Sequence, residues 1–180
     1  MKKTSLFPVL MLLCLLFLQS TLAETRQSII VLEGMEEPFE ETRVESQQGF
    51  SFWVASDRFS VQEQTRPTAA AVIRSLTLDD SMTLTLCTRE EAENWLTESG
   101  LALPEPGGLL DLRSEYKNGT FHFVSLIVDS GHFLTAEGTY SAESADGTSK
   151  YFRRILESIR FLPSTVPDPS PVPPSAEGQN

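Results

Sequence analysis

The chain predicts an α+β fold: an antiparallel β-sheet covered by helices. Three observations carry this reading. Short apolar runs with strand composition recur between residues 28 and 140, separated by Gly-containing turns. Two segments, one after Thr88 and one starting around residues 147–149, switch to helical spacing. The run around Phe123 is apolar on both faces, which suits a central strand whose sheet is covered on both sides.

The elements follow in order. Residues 28–32 form an apolar run of strand composition, and an acid-rich stretch follows over 33–45. Residues 42–46 and 50–55 flank Gln47-Gln48-Gly49 and read as a hairpin. In the second arm Phe50, Phe52 and Val54 alternate with Ser51 and Trp53. After a turn at Ser56-Asp57-Arg58, residues 59–62 and 69–76 are further strand candidates. Met82, Leu84 and Leu86 then alternate with Thr83, Thr85 and Cys87.

The first helix is the clearest element. Thr88 followed three residues later by Glu91 is a capping box. Ala92, Trp95, Leu96 and Ser99 share one face, and Gly100 supplies the left-handed stop. Three strands come next, at 109–116, 120–128 and 132–140, joined by turns at Asn118-Gly119 and Asp129-Ser130-Gly131. In the middle one Phe121, Phe123 and Ile127 face one way, and Val124, Leu126 and Val128 the other. The second helix ends near residue 160, with Tyr151, Phe152, Ile155, Leu156 and Ile159 as its apolar stripe and Lys150, Arg153, Arg154 and Glu157 on its wet side.

The chain ends carry different signals. Lys2 and Lys3 precede an apolar run over 6–18, and Thr21-Leu22-Ala23 places small residues before a cut ahead of Glu24. This is the layout of a secretory signal peptide over residues 1–23, with an uncleaved anchor as the alternative. Cys14 reads as an apolar filler within it. Six of the eleven prolines fall in residues 163–180, which read as an extended, solvated, disordered tail. One α+β domain over 24–162 lies between them. Its expected location is extracytoplasmic, with no stable membrane insertion after the leader is removed.

Composition limits the function. With 180 residues, 40% hydrophobic and 22% charged, the chain has room for one domain and not for two of ordinary size. Lys and Arg number 14 against 25 Asp and Glu, a net charge of −11. A nucleic-acid partner would need a basic face, so none is expected, and the same balance opposes electrostatic binding to membranes. Two His and two Cys exclude a His- or Cys-rich metal centre. No Gly-rich phosphate loop is present, and no cofactor is expected.

Few residues carry chemistry. Cys87 has two readings: a reactive or intermolecular thiol, or a small buried hydrophobe at a strand end. His132 is expected to face about position 128 across the turn, leaving His122 some six residues, or about 20 Å, further along. Such a pair shares no metal and reads as one half-buried and one exposed imidazole. A Cys87–His122 pair and a Ser-His-acid site are the hydrolase alternatives, without a G-x-S-x-G elbow to support them. Glu33, Glu36, Glu37, Glu40, Glu41 and Glu45 are either a solvated face or a weak Ca²⁺ site. Asn118-Gly119-Thr120 is a formal glycosylation sequon that more simply supplies a turn.

Several segments together resemble the PsbP-like family. They are Gly49-Phe50-Ser51-Phe52-Trp53-Val54 with Phe59 after the turn, the capped middle helix, and the ending from Tyr140-Ser141-Ala142-Glu143 through Tyr151-Phe152-Arg153-Arg154-Ile155-Leu156-Glu157-Ser158-Ile159. The opening Val31-Leu32-Glu33-Gly34-Met35-Glu36-Glu37 is similar to small exported bacterial proteins. The resemblance spans residues 28–162 and implies an αβα sandwich shared with Mog-type proteins. It transfers no catalytic, cofactor-binding or metal residue, because the family has no common catalytic set. The function expected is an exported, non-enzymatic binding or assembly module for a protein or small-molecule ligand. A small exported hydrolase and a weak Ca²⁺-responsive surface protein are the alternatives.

Overall fold

A computed structural model describes residues 23–64 and 70–163. The leader and the Pro-rich tail, Ala23 and Pro163 apart, lie outside the described residues, and so does Cys14. The element order is β1 (Thr25–Leu32), β2 (Met35–Ser46), β3 (Phe50–Val54), β4 (Phe59–Glu63), β5 (Ala71–Ser75), β6 (Ser81–Cys87), α1 (Arg89–Ser99), β7 (Gly108–Lys117), β8 (Thr120–Asp129), β9 (His132–Ser141), α2 (Ala145–Glu157) and β10 (Arg160–Phe161). The fold is α+β, strand-rich, and every strand pairing described is antiparallel.

The expected single sheet is two sheets. One runs β1-β2-β3-β10 and the other β4-β5-β6-β9-β8-β7. The break falls at the turn after β3. The amides of Arg58 and Phe59 both donate to the Ala55 carbonyl, at 3.0 and 2.9 Å, and β4 leaves to pair with β5. Alternation along a strand identifies its faces but not its partner, so this division could not be read from the pattern.

Three hairpins close through two-residue turns with both residues left-handed: Glu33-Gly34, Asn118-Gly119 and Ser130-Gly131. That geometry matches the right-handed twist of the flanking strands. The first was not expected. It makes the acid-rich stretch a strand, because Phe39 and Glu41 point inward and are nearly fully buried opposite β1. Burial there overrides the poor strand propensity of glutamate.

The main core joins both sheets to α2. Phe50 and Phe52 from β3, Ile73, Leu84 and Leu134 from the six-stranded sheet, and Tyr151, Phe152, Ile155 and Leu156 from α2 form one buried cluster. Each such side chain contributes about 1.5–3 kcal/mol by leaving water. A second cluster sits on the other face of the six-stranded sheet, where Ala92 and Leu96 of α1 meet Leu126, Val128 and Phe133. Thus Ile127 enters one cluster while its neighbours enter the other. The strand that carries them, β8, is second from the sheet edge rather than central.

Both helices depart in detail from expectation. The capping box of α1 is formed: Thr88 Oγ1 accepts from the Glu91 amide at 3.2 Å, and the Glu91 carboxylate accepts from the Thr88 amide at 2.8 Å. Gly100 is left-handed, with φ of 66°. Of the expected face Ala92 and Leu96 are buried, Trp95 is half-buried and Ser99 is exposed, so the stripe is narrower than the spacing implied. The second helix stops at Glu157, because Arg160 and Phe161 pair with Ser51 and Phe50 as β10.

Candidate functional site

An open cleft of about 680 Å³ lies along α2. One wall is β1 at Ile29 and Val31, the other is β7 with Phe123 and Tyr140, and α2 supplies Lys150 and Arg153. Both β1 and β7 end their sheets, so each leaves one row of backbone groups without a ladder partner. Hairpin register says which groups these are. A two-residue turn makes Leu32–Met35 a hydrogen-bonded pair, so Ile30 and Ser28 bond into the ladder while Ile29 and Val31 turn their backbone outward. The same logic from the Lys117–Thr120 pair turns Ser114 outward on β7. Lys150 Nζ already meets the outward Val31 carbonyl at 2.9 Å.

The charges in the cleft are ordered. Arg153 donates Nη1 to Asp111 at 2.8 Å and Nε to Glu157 at 2.9 Å. Asp111 in turn accepts from Ser125 Oγ at 2.8 Å. Burial pushes the Tyr140 phenol above its usual value, and the charge of Asp111 adds to that. Tyr140 is therefore a neutral hydroxyl throughout the physiological range.

A smaller recess of about 320 Å³ adjoins the cleft, since Arg154 and Glu157 line both. Its other walls are Arg26, Trp53, Ser158 and Arg160. Beneath it Glu41, 1% exposed, accepts from Arg26 Nε at 2.7 Å, Arg154 Nε at 2.7 Å and Ser28 Oγ at 2.6 Å. Burial pushes the Glu41 carboxyl up, but the hydrogen bonds from Arg154, Ser28 and Arg26 outweigh it and hold it below the usual range. The Arg26 guanidinium lies 4.2 Å from the centre of the Trp53 ring.

A third concavity, of about 650 Å³, lies at the N-terminal end of α2 and includes Tyr151. The Tyr151 hydroxyl is buried without a hydrogen-bond partner among the described residues.

The residues singled out from the sequence are not brought together. Cys87 stands opposite Phe133 on β9, whereas His122 stands opposite Thr139 on the same strand. Six residues of strand, about 20 Å, separate the two levels. Cys87 packs against the second cluster, and its thiol is pushed up to about 11, by burial first and by the Glu91 charge second. His132 pairs with Asp129 rather than 128 and stacks on Phe161 with ring centres 4.9 Å apart. His122 is exposed, not half-buried.

The acidic stretch divides by strand alternation. Glu41 is buried on arginines, while Glu36 and Glu40 face solvent. Among the described residues no three His, Cys, Asp or Glu side chains gather to hold a metal ion. Asn118 serves the β7–β8 turn. The cleft and the Glu41 cluster escaped the sequence reading because they join residues more than a hundred positions apart. No local signal marks such a pairing.

No family model matches the chain, and no curated protein does. Among solved structures the chain is similar to the solution structure of cyanobacterial PsbP (CyanoP) from Synechocystis sp. PCC 6803, at 10% identity, 80% of this chain, 96% of that chain and a TM-score of 0.40. Among the described residues no helix is long and apolar enough to cross a membrane.

Proposed function

We propose that the chain is an exported, non-enzymatic binding or assembly module. In this reading the leader over 1–23 is removed, residues 24–162 act as one PsbP-like domain, and the cleft over α2 is the site. The occupant it suits best is an extended segment of a partner protein. The observation that carries this is the position of a 680 Å³ cleft between two strands that each present an open edge. Such an edge bonds an added strand through its backbone, while side-chain recesses give selectivity. Ile29 and Val31, 57% and 49% exposed, offer apolar contact on one wall. Lys150 and Arg153 offer charge below. The cleft lining contains neither His nor Cys, which favours binding over the hydrolase alternative.

The test is capture from the native envelope fraction with the wild-type chain and with Ser114→Trp, which fills the cleft from an exposed position. The reading expects a partner retained by the wild type and lost by the variant. It also expects slower hydrogen exchange at Ile29, Val31 and Ser114 in the complex. Equal retention by both chains, or no retained partner, would remove the cleft as the site.

A further inference from the structure

We infer that the recess formed by Arg26, Arg154, Arg160 and Trp53 is an oxyanion site, one that takes a carboxylate, sulfate or phosphate group. It is argued independently of the partner segment proposed for the cleft.

Four elements converge there: β1, β3, β10 and α2. Register puts Arg26 opposite Glu41, Trp53 opposite Arg43, and Arg160 opposite Ser51. Since Glu41 and Arg43 are two apart on β2, and Ser51 and Trp53 two apart on β3, alternation puts these side chains on a common face. The last turn of α2 brings Arg154 to the same place. Arg43 stands nearby but is held by Glu24 at 2.8 Å and Glu45 at 3.3 Å.

The guanidiniums are fixed yet incompletely used. Glu41 takes Nε of both Arg26 and Arg154, and Ser28 takes Nη2 of Arg154 at 2.7 Å. Arg160 gives only Nη1, to the carbonyls of Glu157 and Ile159 at 3.0 and 2.6 Å. Both Nη groups of Arg26, Nη1 of Arg154, and Nε and Nη2 of Arg160 have no hydrogen-bond partner among the described residues. Donors held in a planar fork lose little freedom on meeting an oxyanion and bond it bidentately. The buried carboxylate therefore acts as a brace that orients two cations.

The charge balance has the required sign. Glu157 on the rim is already bonded by Arg153 at 2.9 Å. Counting Arg153 and both of its carboxylate partners, four guanidiniums (Arg26, Arg153, Arg154 and Arg160) face three carboxylates (Glu41, Glu157 and Asp111), a local excess of positive charge in a chain whose net charge is −11. A concave surface raises the local field above that of scattered surface charges. Trp53, half-buried and stacked under Arg26, gives the recess an apolar side and a built-in reporter.

The experiment uses that reporter. Trp53 and Trp95 are the chain's two tryptophans, so Trp95→Phe leaves Trp53 alone. Its emission is followed while sodium phosphate, sodium sulfate or sodium succinate is added at ionic strength held constant with chloride. A saturable change with at least one of the three is expected, and the order of affinities separates phosphate and sulfate from carboxylate as the group recognised. Arg160→Gln, which removes a side chain bonded only to backbone carbonyls, should weaken that affinity at least tenfold with the thermal midpoint nearly unchanged. Arg160→Lys, which keeps the charge and loses the fork, should weaken it severalfold and serves if the Gln variant folds poorly. No saturable response to any of the three anions, or one unchanged in both variants, overturns the assignment.

Discussion

Glu41 and Arg154 are 113 positions apart in the chain, and their carboxylate and guanidinium meet at 2.7 Å. The bond ties the β1–β2 hairpin to α2, and with it the wall of the cleft to its floor. Breaking a buried pair by removing one partner leaves the other uncompensated, at a cost of about 3–5 kcal/mol when both are buried. Here the side chains of Arg26 and Arg154 are 41% and 34% exposed, so water relieves part of that cost. Glu41→Gln should therefore destabilise by about 1–3 kcal/mol at pH 7 in urea unfolding. The pH dependence has a definite sign. A carboxyl held below its usual value in the folded chain adds stability that is present above the unfolded value, about 4.3, and is lost as pH falls through the lower folded value. The wild type should lose stability across that acid window, and Glu41→Gln should lose less. Parallel curves for the two chains would contradict this.

The same pair shows where sequence reading stops. Glu41 looked like one member of a solvated acidic run, because its neighbours are acidic and its partner lies beyond two sheets and a helix. Local signals were strong elsewhere: Thr88 with Glu91 marked a helix start, and Asn118-Gly119 marked a turn. Alternation along residues 120–128 located a strand with both faces buried near Leu126 and Ile127. What alternation does not encode is which strand pairs with which, so the division at Ala55 and the return of Arg160 and Phe161 to β3 were out of reach. Every wall of the cleft depends on those pairings. The residues with conspicuous chemistry, Cys87 and the two His, were legible as types and fell outside the site.

Gly138 is held by packing rather than by its backbone angle. It stands opposite Phe123 on β8 and opposite Met82 on β6. A Cβ there would fall inside contact distance of the Phe123 ring and 2.9 Å from the Ser81 carbonyl. The ring thus covers the glycine, as aromatic residues do across a strand pair. Gly138→Ala should destabilise by about 1–3 kcal/mol through overpacking. Pairing it with Phe123→Leu should recover part of the loss, which a double-mutant cycle in urea would read. Strict additivity would show that the ring is not the obstacle.

Tyr151 offers the opposite sign. Its ring is packed edge-on against Phe39, with centres 5.2 Å apart, but its buried hydroxyl has no partner among the described residues. An unsatisfied buried hydroxyl costs about 1–3 kcal/mol, and removing it leaves the packing intact. Tyr151→Phe should therefore be neutral or stabilise the chain by up to about 1 kcal/mol in thermal unfolding. A loss above about 1 kcal/mol would mean that the hydroxyl is bonded in solution, through water or a ligand in the neighbouring concavity.

Cys87 should be inert while the chain is folded. Burial, and then the charge of Glu91, raise its thiol to about 11, against about 8.5 for an unhindered cysteine. Since the thiolate is the reacting species, iodoacetamide at pH 8 should modify it roughly a hundredfold more slowly in buffer than in denaturant. The shift also acts on stability. A group whose folded value is raised contributes fully below its unfolded value and loses that contribution as pH rises through the folded one, here between about 8.5 and 11. Cys87→Ala, at a half-buried position against α1, should flatten the alkaline loss of stability over that interval. Rapid labelling of the folded chain at pH 8, with Cys87 still packed against α1, would mean that the thiol is activated and contradict an inert Cys87.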